Sequence, residues 1–194
     1  MKNINLVLAT GNSGKVKEIK EILSDLPVSL VAKPDGLEVE ETGKSFKENA
    51  RLKALSVAVE ASAWALADDS GLEVEALNGA PGIFSGRYAD NDEERVKRLL
   101  NELEPFMNRK AKFISALCIA KENEVLLEVE GFCEGIITTS PRGENGFGYD
   151  PIFQVAGQKL TFAEMSIAQK RKLGHRGHSL KLLKPALRKI LDRY

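Results

Sequence analysis

Asp68-Asp69-Ser70-Gly71 follows directly on the apolar run Trp64-Ala65-Leu66-Ala67. Two adjacent carboxylates leaving an apolar stretch cost desolvation and mutual repulsion unless a cation or hydrogen bonds offset them. A second acidic pair, Glu40-Glu41, lies in the stretch Glu38-Val39-Glu40-Glu41-Thr42-Gly43. Hard oxygen ligands at the borders of turns suit Mg²⁺, which keeps several waters and uses one or two protein carboxylates beside phosphate oxygens. A solvated loop accounts for Glu40-Glu41 as well, and a turn or capping role for one of the aspartates.

Anions have their own candidate in Thr10-Gly11-Asn12-Ser13-Gly14-Lys15. Glycines let backbone N–H groups approach an anion, a helix N-terminus adds a favourable dipole, and Lys15 would pair with phosphate oxygens. The Walker spacing is absent, since it requires Gly in place of Ala9 and Ser or Thr in place of Val16. A glycine-bearing turn with a solvated lysine is the other reading. Phe147-Gly148-Tyr149-Asp150 offers an aromatic face and a carboxylate that can accept from ring nitrogens; a core aromatic in a tight turn uses the same residues. Lys170 and His175-Arg176 add donors within a basic tail, where ten Lys and Arg residues from Gln158 onward face two acids, Glu164 and Asp192. That tail reads as a nucleic-acid arm or as a solvated helix face.

These groups need elements to hold them. Ile4 to Ala9 reads as a buried strand, the glycine turn follows, and a helix is predicted from about Lys15 to Leu23. Val28 to Ala32 is predicted as a second strand. Ser45-Phe46-Lys47-Glu48 has the form of a capping box opening a long helix, with Ala50, Ala54, Ala58 and Ala61 as a small-residue stripe and Asn49 and Lys53 on a neighbouring face. Trp64 to Ala67 is predicted as a brief strand with the two aspartates at its end, and Leu72 to Leu77 as an alternating one. Asp92 is expected to cap a helix with Val96, Leu99, Leu100 and Leu103 inward. Lys112 to Lys121 and Glu124 to Ile137 form a predicted antiparallel pair. Arg142 to Pro151 is too glycine-rich for a regular element. Ser166 is expected to cap a short helix through Lys172, and Gly174 to Gly177 to break the chain before a last helix with Leu180, Leu183, Leu187 and Leu191 inward. Pro185 should kink that helix or mark a boundary. Helices and strands alternate early and strands cluster late, which implies an α/β protein with a mixed, twisted sheet.

Composition bounds the rest. With 194 residues, the chain fits a single domain over 1–194, and 43% hydrophobic with 29% charged residues argues against disorder. A formal net charge of zero argues against a general attraction to nucleic acid or anionic membranes. Met1 to Leu6 lacks the apolar stretch of a secretory signal, and no run reaches the ~18 apolar residues of a bilayer span, so a cytoplasmic location is expected. Cys118 and Cys133 lie in apolar, strand-like stretches without metal-ligand spacing and are expected to be reduced core residues.

The groups also occur together, in order, along nearly the whole chain. Leu8 to Lys15, Glu41-Thr42-Gly43, Phe46 to Ala54, Ala67 to Leu72, Gly79 to Ser85, Gly146 to Pro151, and Ser166, Lys170 and His175-Arg176-Gly177 resemble the inosine triphosphate pyrophosphatase family, the XTP/dITP diphosphatases that clear deaminated purine nucleotides. Gly86, Gln169 and Gly174 stand where that family more often has Ala, Glu and Ser. The resemblance implies an elongated, two-lobed α/β molecule, its mixed twisted β-sheet flanked by helices around a central nucleotide cleft, working as a homodimer with Mg²⁺. It implies hydrolysis of XTP, ITP or dITP to the monophosphate and pyrophosphate. Carried over residue by residue, it places Thr10, Gly11, Asn12, Ser13, Gly14, Lys15 and Lys53 on the triphosphate with Asn49 nearby. Glu41 and Asp69 match metal-associated carboxylates, and Asp69 also the proton acceptor. Ser70, Phe147, Gly148, Tyr149, Asp150, Lys170, His175 and Arg176 match nucleotide-binding positions. Two rivals stand beside this reading: a house-cleaning pyrophosphatase for modified pyrimidines, against which His175-Arg176 argues, and a non-catalytic nucleotide- or RNA-binding module using the basic tail, which leaves the acidic pair unexplained.

Overall fold

Short apolar strands begin the sheet. In the computed structural model, which describes residues 4–193, β1 (Ile4–Leu8) pairs in parallel with β2 (Val28–Ala32), Ile4 opposite Val28 and Leu8 opposite Ala32. On its other side β1 pairs in parallel with β3 (Trp64–Val74), Leu6 opposite Trp64. Parallel neighbours need long crossovers, and helices supply them: α1 (Ser13–Leu23) between β1 and β2, and α2 (Phe46–Ala61) between β2 and β3. After α3 (Asp92–Glu102) come the long strands β4 (Lys110–Lys121) and β5 (Glu124–Ile137), joined by a two-residue turn with Glu122 at φ 52°. β6 (Phe153–Val155) adds antiparallel to β5, and α4 (Ile167–Leu173) and α5 (His175–Leu191) complete the chain. The sheet is open, mixed and six-stranded, in the order β2-β1-β3-β4-β5-β6.

The chain divides into two compact units, each assembled from separated stretches. The first comprises the chain up to Asp69, Ser115–Gly131 and everything from Ser179 onward; the second comprises Ser70–Ile114 and Phe132–His178. Each has a core of its own. In the first, Leu6 and Leu8 of β1, Leu66 of β3 and Leu117 and Ile119 of β4 meet Ile19 and Leu23 of α1 and Leu180, Leu183 and Leu187 of α5. The three- and four-residue spacing of these leucines puts them on one helix face, and each buried Leu contributes about 1.5–3 kcal/mol. In the second, Leu72, Leu99 and Leu103 surround an aromatic cluster in which Phe153 lies 4.8 Å from Phe113 and 5.0 Å from Phe162, centroid to centroid.

Several expectations hold closely. Ala50, Ala54 and Ala58 form the buried stripe of α2, and Ser166 and Gln169 close a reciprocal capping box on α4. At α2 the box is half-closed: Ser45 Oγ accepts from Glu48 N, but Glu48 reaches past it to Lys44 N at 2.7 Å.

Four expectations are corrected. β3 is one uninterrupted strand, so Asp68 and Asp69 lie inside it rather than at a strand end, and the expected second strand stops at Val74. The backbone stays extended through the acids because lysines neutralise them; Glu75–Leu77 is instead a 3-10 turn closed by Asn78 at φ 53°. Asn91, not Asp92, caps α3, its carboxamide oxygen accepting from Glu94 N at 2.9 Å. His175, Arg176 and Gly177 are the first turn of α5 rather than a break: a Cβ on Gly177 would lie 1.7 Å from the Arg171 carbonyl, so only glycine lets the two helices adjoin there. Pro185 sits inside α5 without ending it, the missing N–H being outweighed by the buried leucine face.

Met1, Lys2 and Asn3, part of the segment read above for a secretory signal, lie outside the described residues. Among the described residues no helix is long and apolar enough to cross a membrane. Cys118 and Cys133 are both free and buried, and burial pushes both thiols up to about 12. Since the thiolate is the reactive form, an aromatic disulfide reagent at pH 8 is expected to label neither cysteine in the folded protein and both in denaturant; rapid labelling of the native protein would contradict this packing.

Candidate active site

The first unit builds a paired-charge cluster on β3. Successive strand residues point to opposite faces, so Asp68 and Asp69, though adjacent, take separate partners. Lys15, in the first turn of α1, places its Nζ 2.6 Å from Asp68 Oδ1, while Asp68 Oδ2 accepts from Ser115 Oγ of β4 at 3.0 Å. Lys53 of α2 donates to Asp69 Oδ1 at 2.8 Å, to Glu41 Oε1 at 2.7 Å and to the Asp68 carbonyl at 3.1 Å. An ammonium has three protons, so those of Lys53 are spent inside this cluster. Asn49, one turn before Lys53 and fully buried, accepts from Gly43 N at 2.8 Å and thereby pins the segment that carries Glu41. Glu40 is exposed, as a solvated loop residue should be.

Electrostatics follow from burial. Burial pushes the Asp69 carboxyl above the ordinary aspartate range, against the pull of Lys53 and Lys15. Burial also works against the charge of Lys53, yet Asp69 and Glu41 outweigh it and hold the ammonium above the ordinary lysine range.

The glycine turn precedes α1 as expected, and the helix opens two residues earlier than predicted, at Ser13. Asn12 is its cap, Oδ1 accepting from Lys15 N at 3.0 Å, and Thr10 Oγ1 accepts from Asn12 N at 3.2 Å. The side chains of Thr10 and Asn12 thus shape the turn, and Ser13 and Gly14 stand in the first turn of the helix, whose opening amides have no partner within it, beside the exposed Gly11.

A metal fits this cluster in one way. Among the described residues no three His, Cys, Asp or Glu side chains gather into a ready-made metal cluster, because Glu41 and Asp69 meet through the Lys53 ammonium. Asp69 Oδ2, however, is buried and has no hydrogen-bond partner among the described residues. A buried carboxylate oxygen left open beside Glu41 is a hard ligand of the kind Mg²⁺ uses, one or two at a time.

The second unit holds the other candidates. Asp150 Oδ2 accepts from Phe147 N at 2.9 Å and from Lys170 Nζ at 2.5 Å, and Lys170 Nζ lies 4.7 Å from the centre of the Phe147 ring. Gly146 makes this possible: at φ 84°, a Cβ there would stand 2.0 Å from Asp150 Oδ2. Gly148 N donates to Asp92 Oδ2 at 2.7 Å. Arg176 is buried and donates to Ser70 Oγ at 2.9 Å, its Cζ 6.0 Å from the Phe147 ring centre. Phe147 keeps its ring partly exposed. Tyr149 and His175 sit deeper than the sequence suggested. The Tyr149 ring belongs to the core and its hydroxyl donates to the Ser85 carbonyl at 3.1 Å; burial pushes that hydroxyl well above the ordinary tyrosine range. His175 stacks on Phe113 at 4.7 Å and 10°.

The basic tail is no free arm. Lys184 and Arg188 lie 2.7 and 3.3 Å from Asp25, and Lys170 and Arg176 are engaged as described. Ser115 escaped the sequence reading; its one signal is a hydroxyl in the otherwise apolar run Phe113 to Ala120.

The sequence pattern of the Ham1 family matches residues 6–186 of the chain. The chain belongs to the Ham1 family. Among its Ham1 relatives, a protein of Prochlorococcus marinus (strain MIT 9313) named dITP/XTP pyrophosphatase is 59% identical over 189 residues, covering 97% of this chain and 93% of its own. One of strain NATL1A with the same name is 56% identical over 191 residues, covering 98% and 97%. The solved HAM1 protein of Coxiella burnetii superposes with a TM-score of 0.89 at 40% identity, covering 96% of this chain and 99% of that one. The dITP/XTP pyrophosphatase of Mycobacterium abscessus does so at 0.75 and 38%, covering 95% and 100%. The resemblance read from the sequence and the α/β fold with its mixed, helix-flanked sheet are thereby borne out.

Lys53→Met tests the charge cluster directly. Leaving Asp69 buried without its lysine is expected to cost about 3 kcal/mol at neutral pH in denaturant unfolding. Because Asp69 then titrates still higher, the cost should shrink as acidification protonates it; a pH-independent penalty would disprove the pairing.

Proposed function

We propose that this Ham1 protein is a dITP/XTP pyrophosphatase: it hydrolyses XTP, ITP and dITP to the nucleoside monophosphate and pyrophosphate, removing deaminated purines from the cytoplasmic nucleotide pool. The names of its relatives support the activity, and the lysine–aspartate cluster of β3 is the observation that carries it. That cluster joins two ammonium groups, an anion-facing helix start and an open buried carboxylate oxygen on one strand and its neighbours. Because β3, β4, β5 and α5 each contribute to both units, the chain is read as working as a single domain. Family resemblance further supports a homodimer.

Glu41 and Asp69 would hold Mg²⁺, which when bound supplies neutralising charge for the triphosphate. Lys15, Lys53 and the amides of Ser13 and Gly14 take phosphate oxygens, Lys53 giving up its internal carboxylate bonds to do so. Asp69 orients a water and accepts its proton as that water attacks the α-phosphorus; pyrophosphate leaves. On the base, hypoxanthine and xanthine present a keto acceptor at position six, where adenine presents an amino donor. Arg176 has donors only, and Ser70 holds it in place. An amino group facing it goes unpaired, a penalty of roughly 1–3 kcal/mol when buried. Phe147, fixed through Asp150 and Lys170, offers its ring for stacking.

Pyrophosphate release from XTP, ITP, dITP, GTP, ATP and dTTP, with Mg²⁺ and with a chelator, is the test. The deaminated purines should exceed ATP by at least about tenfold in kcat/KM, the chelator should abolish turnover, and Asp69→Asn should fold yet lose about a hundredfold or more in rate. Equal hydrolysis of ATP and ITP would overturn the specificity, and wild-type turnover by Asp69→Asn the mechanism.

A further inference from the structure

Next to Asp68 lie two hydroxyls that the mechanism above does not use. Ser115 of β4 and Ser179 of α5 are both fully buried, Ser115 between Ile114 and Ala116 and Ser179 beside Leu180. A hydroxyl in apolar surroundings is costly unless it is bonded. Ser115 Oγ lies 3.0 Å from Asp68 Oδ2 and 2.9 Å from Ser179 Oγ.

Proton counting gives the contacts a direction. Asp68 is paired with the Lys15 ammonium at 2.6 Å and so is a carboxylate, which only accepts, while each hydroxyl has a single proton to give. Ser115 therefore spends its proton on Asp68 and must accept from Ser179. A one-way chain results, from the Ser179 hydroxyl through Ser115 to Asp68 Oδ2, and on the far side of the carboxylate stands Lys15. With Oδ2 bonded to Ser115, rotation of the carboxylate plane is opposed while Oδ1 faces the ammonium.

We propose that Ser115 and Ser179 are positioning residues that lock the Asp68 carboxylate and, through it, aim Lys15 at the phosphate chain of the substrate. This rests on the pyrophosphatase reading. Neither serine touches substrate; both act through Asp68. Since each bond in such a chain polarises the next, loss of the inner hydroxyl should weigh more than loss of the outer one.

Wild type, Ser115→Ala and Ser179→Ala are titrated calorimetrically with inorganic tripolyphosphate in Mg²⁺, and kcat/KM is measured for ITP and ATP, with thermal unfolding alongside. Tripolyphosphate affinity should fall about tenfold in Ser115→Ala and about threefold in Ser179→Ala. The preference for ITP over ATP should stay as in wild type, because the base-facing residues are untouched. A merely structural pair would lower the unfolding temperature and leave tripolyphosphate affinity at the wild-type value. That result, or a larger loss in Ser179→Ala than in Ser115→Ala, overturns the relay. Should wild type bind tripolyphosphate yet release pyrophosphate from no nucleotide, the catalytic reading fails while the affinity losses still decide the relay. Should Ser115→Ala not fold, the threefold change in Ser179→Ala decides alone.

Discussion

Two carboxylates buried side by side repel, and in a dry interior they resist ionising together. β3 escapes this through its pleat, which turns Asp68 and Asp69 to opposite faces, where Lys15 of α1 meets one and Lys53 of α2 meets the other. The demand reaches far along the chain. α1 must present Lys15 in its first turn, which the Asn12 cap fixes, and α2 must come close enough for Lys53 to reach, which its alanine stripe permits. The loop carrying Glu41 must return to α2, where Asn49 holds Gly43. Charge pairing and apolar packing therefore select the same helix positions, and neither alone accounts for the lengths of the early elements.

The second unit solves a different problem with the same economy of donors. Its loop from Gly146 to Asp150 has little regular structure, yet one carboxylate oxygen ties the Phe147 amide to Lys170 of α4, so an aromatic side chain outside any helix or strand is anchored to a neighbouring helix. Arg176 gains rigidity from its place in the first turn of α5 and from Ser70. Groups held in this way have little freedom left to lose, which is the physical advantage of supporting a side chain from behind.

Much of this was legible before any coordinates. The glycine turn before a helix, the capping serines at 45 and 166, the alanine stripe and the leucine spacing of the last helix are local patterns with local causes. The acidic pair announced a need for cations, and Lys15 and Lys53 are those cations. What failed did so for non-local reasons. Asp68 and Asp69 read as the end of a strand because the sequence does not reveal that lysines 53 and 16 positions away would make an extended, buried course tolerable. Asn91 and Asp92 are both good caps, and only helix geometry chooses between them. Tyr149 matched a nucleotide-binding position in the sequence, whereas the fold packs its ring into the core and its hydroxyl donates to the Ser85 carbonyl. Ser115 and Ser179 could be paired only by knowing that β4 and α5 converge on Asp68.

The division of the chain also constrains how such a protein can change. Its boundary is crossed within β3, β4, β5 and α5, so no single cut in the gene releases either core with all its strands. Asp69 closes one stretch and Ser70 opens the next, making the partner of Lys53 and the residue that accepts from Arg176 consecutive in sequence. Neither unit lies on one continuous stretch of the chain, and an insertion at that peptide would fall between the residue paired with Lys53 and the residue bonded to Arg176. A truncation from the C-terminal end that removes strands from the first unit therefore removes strands from the second as well.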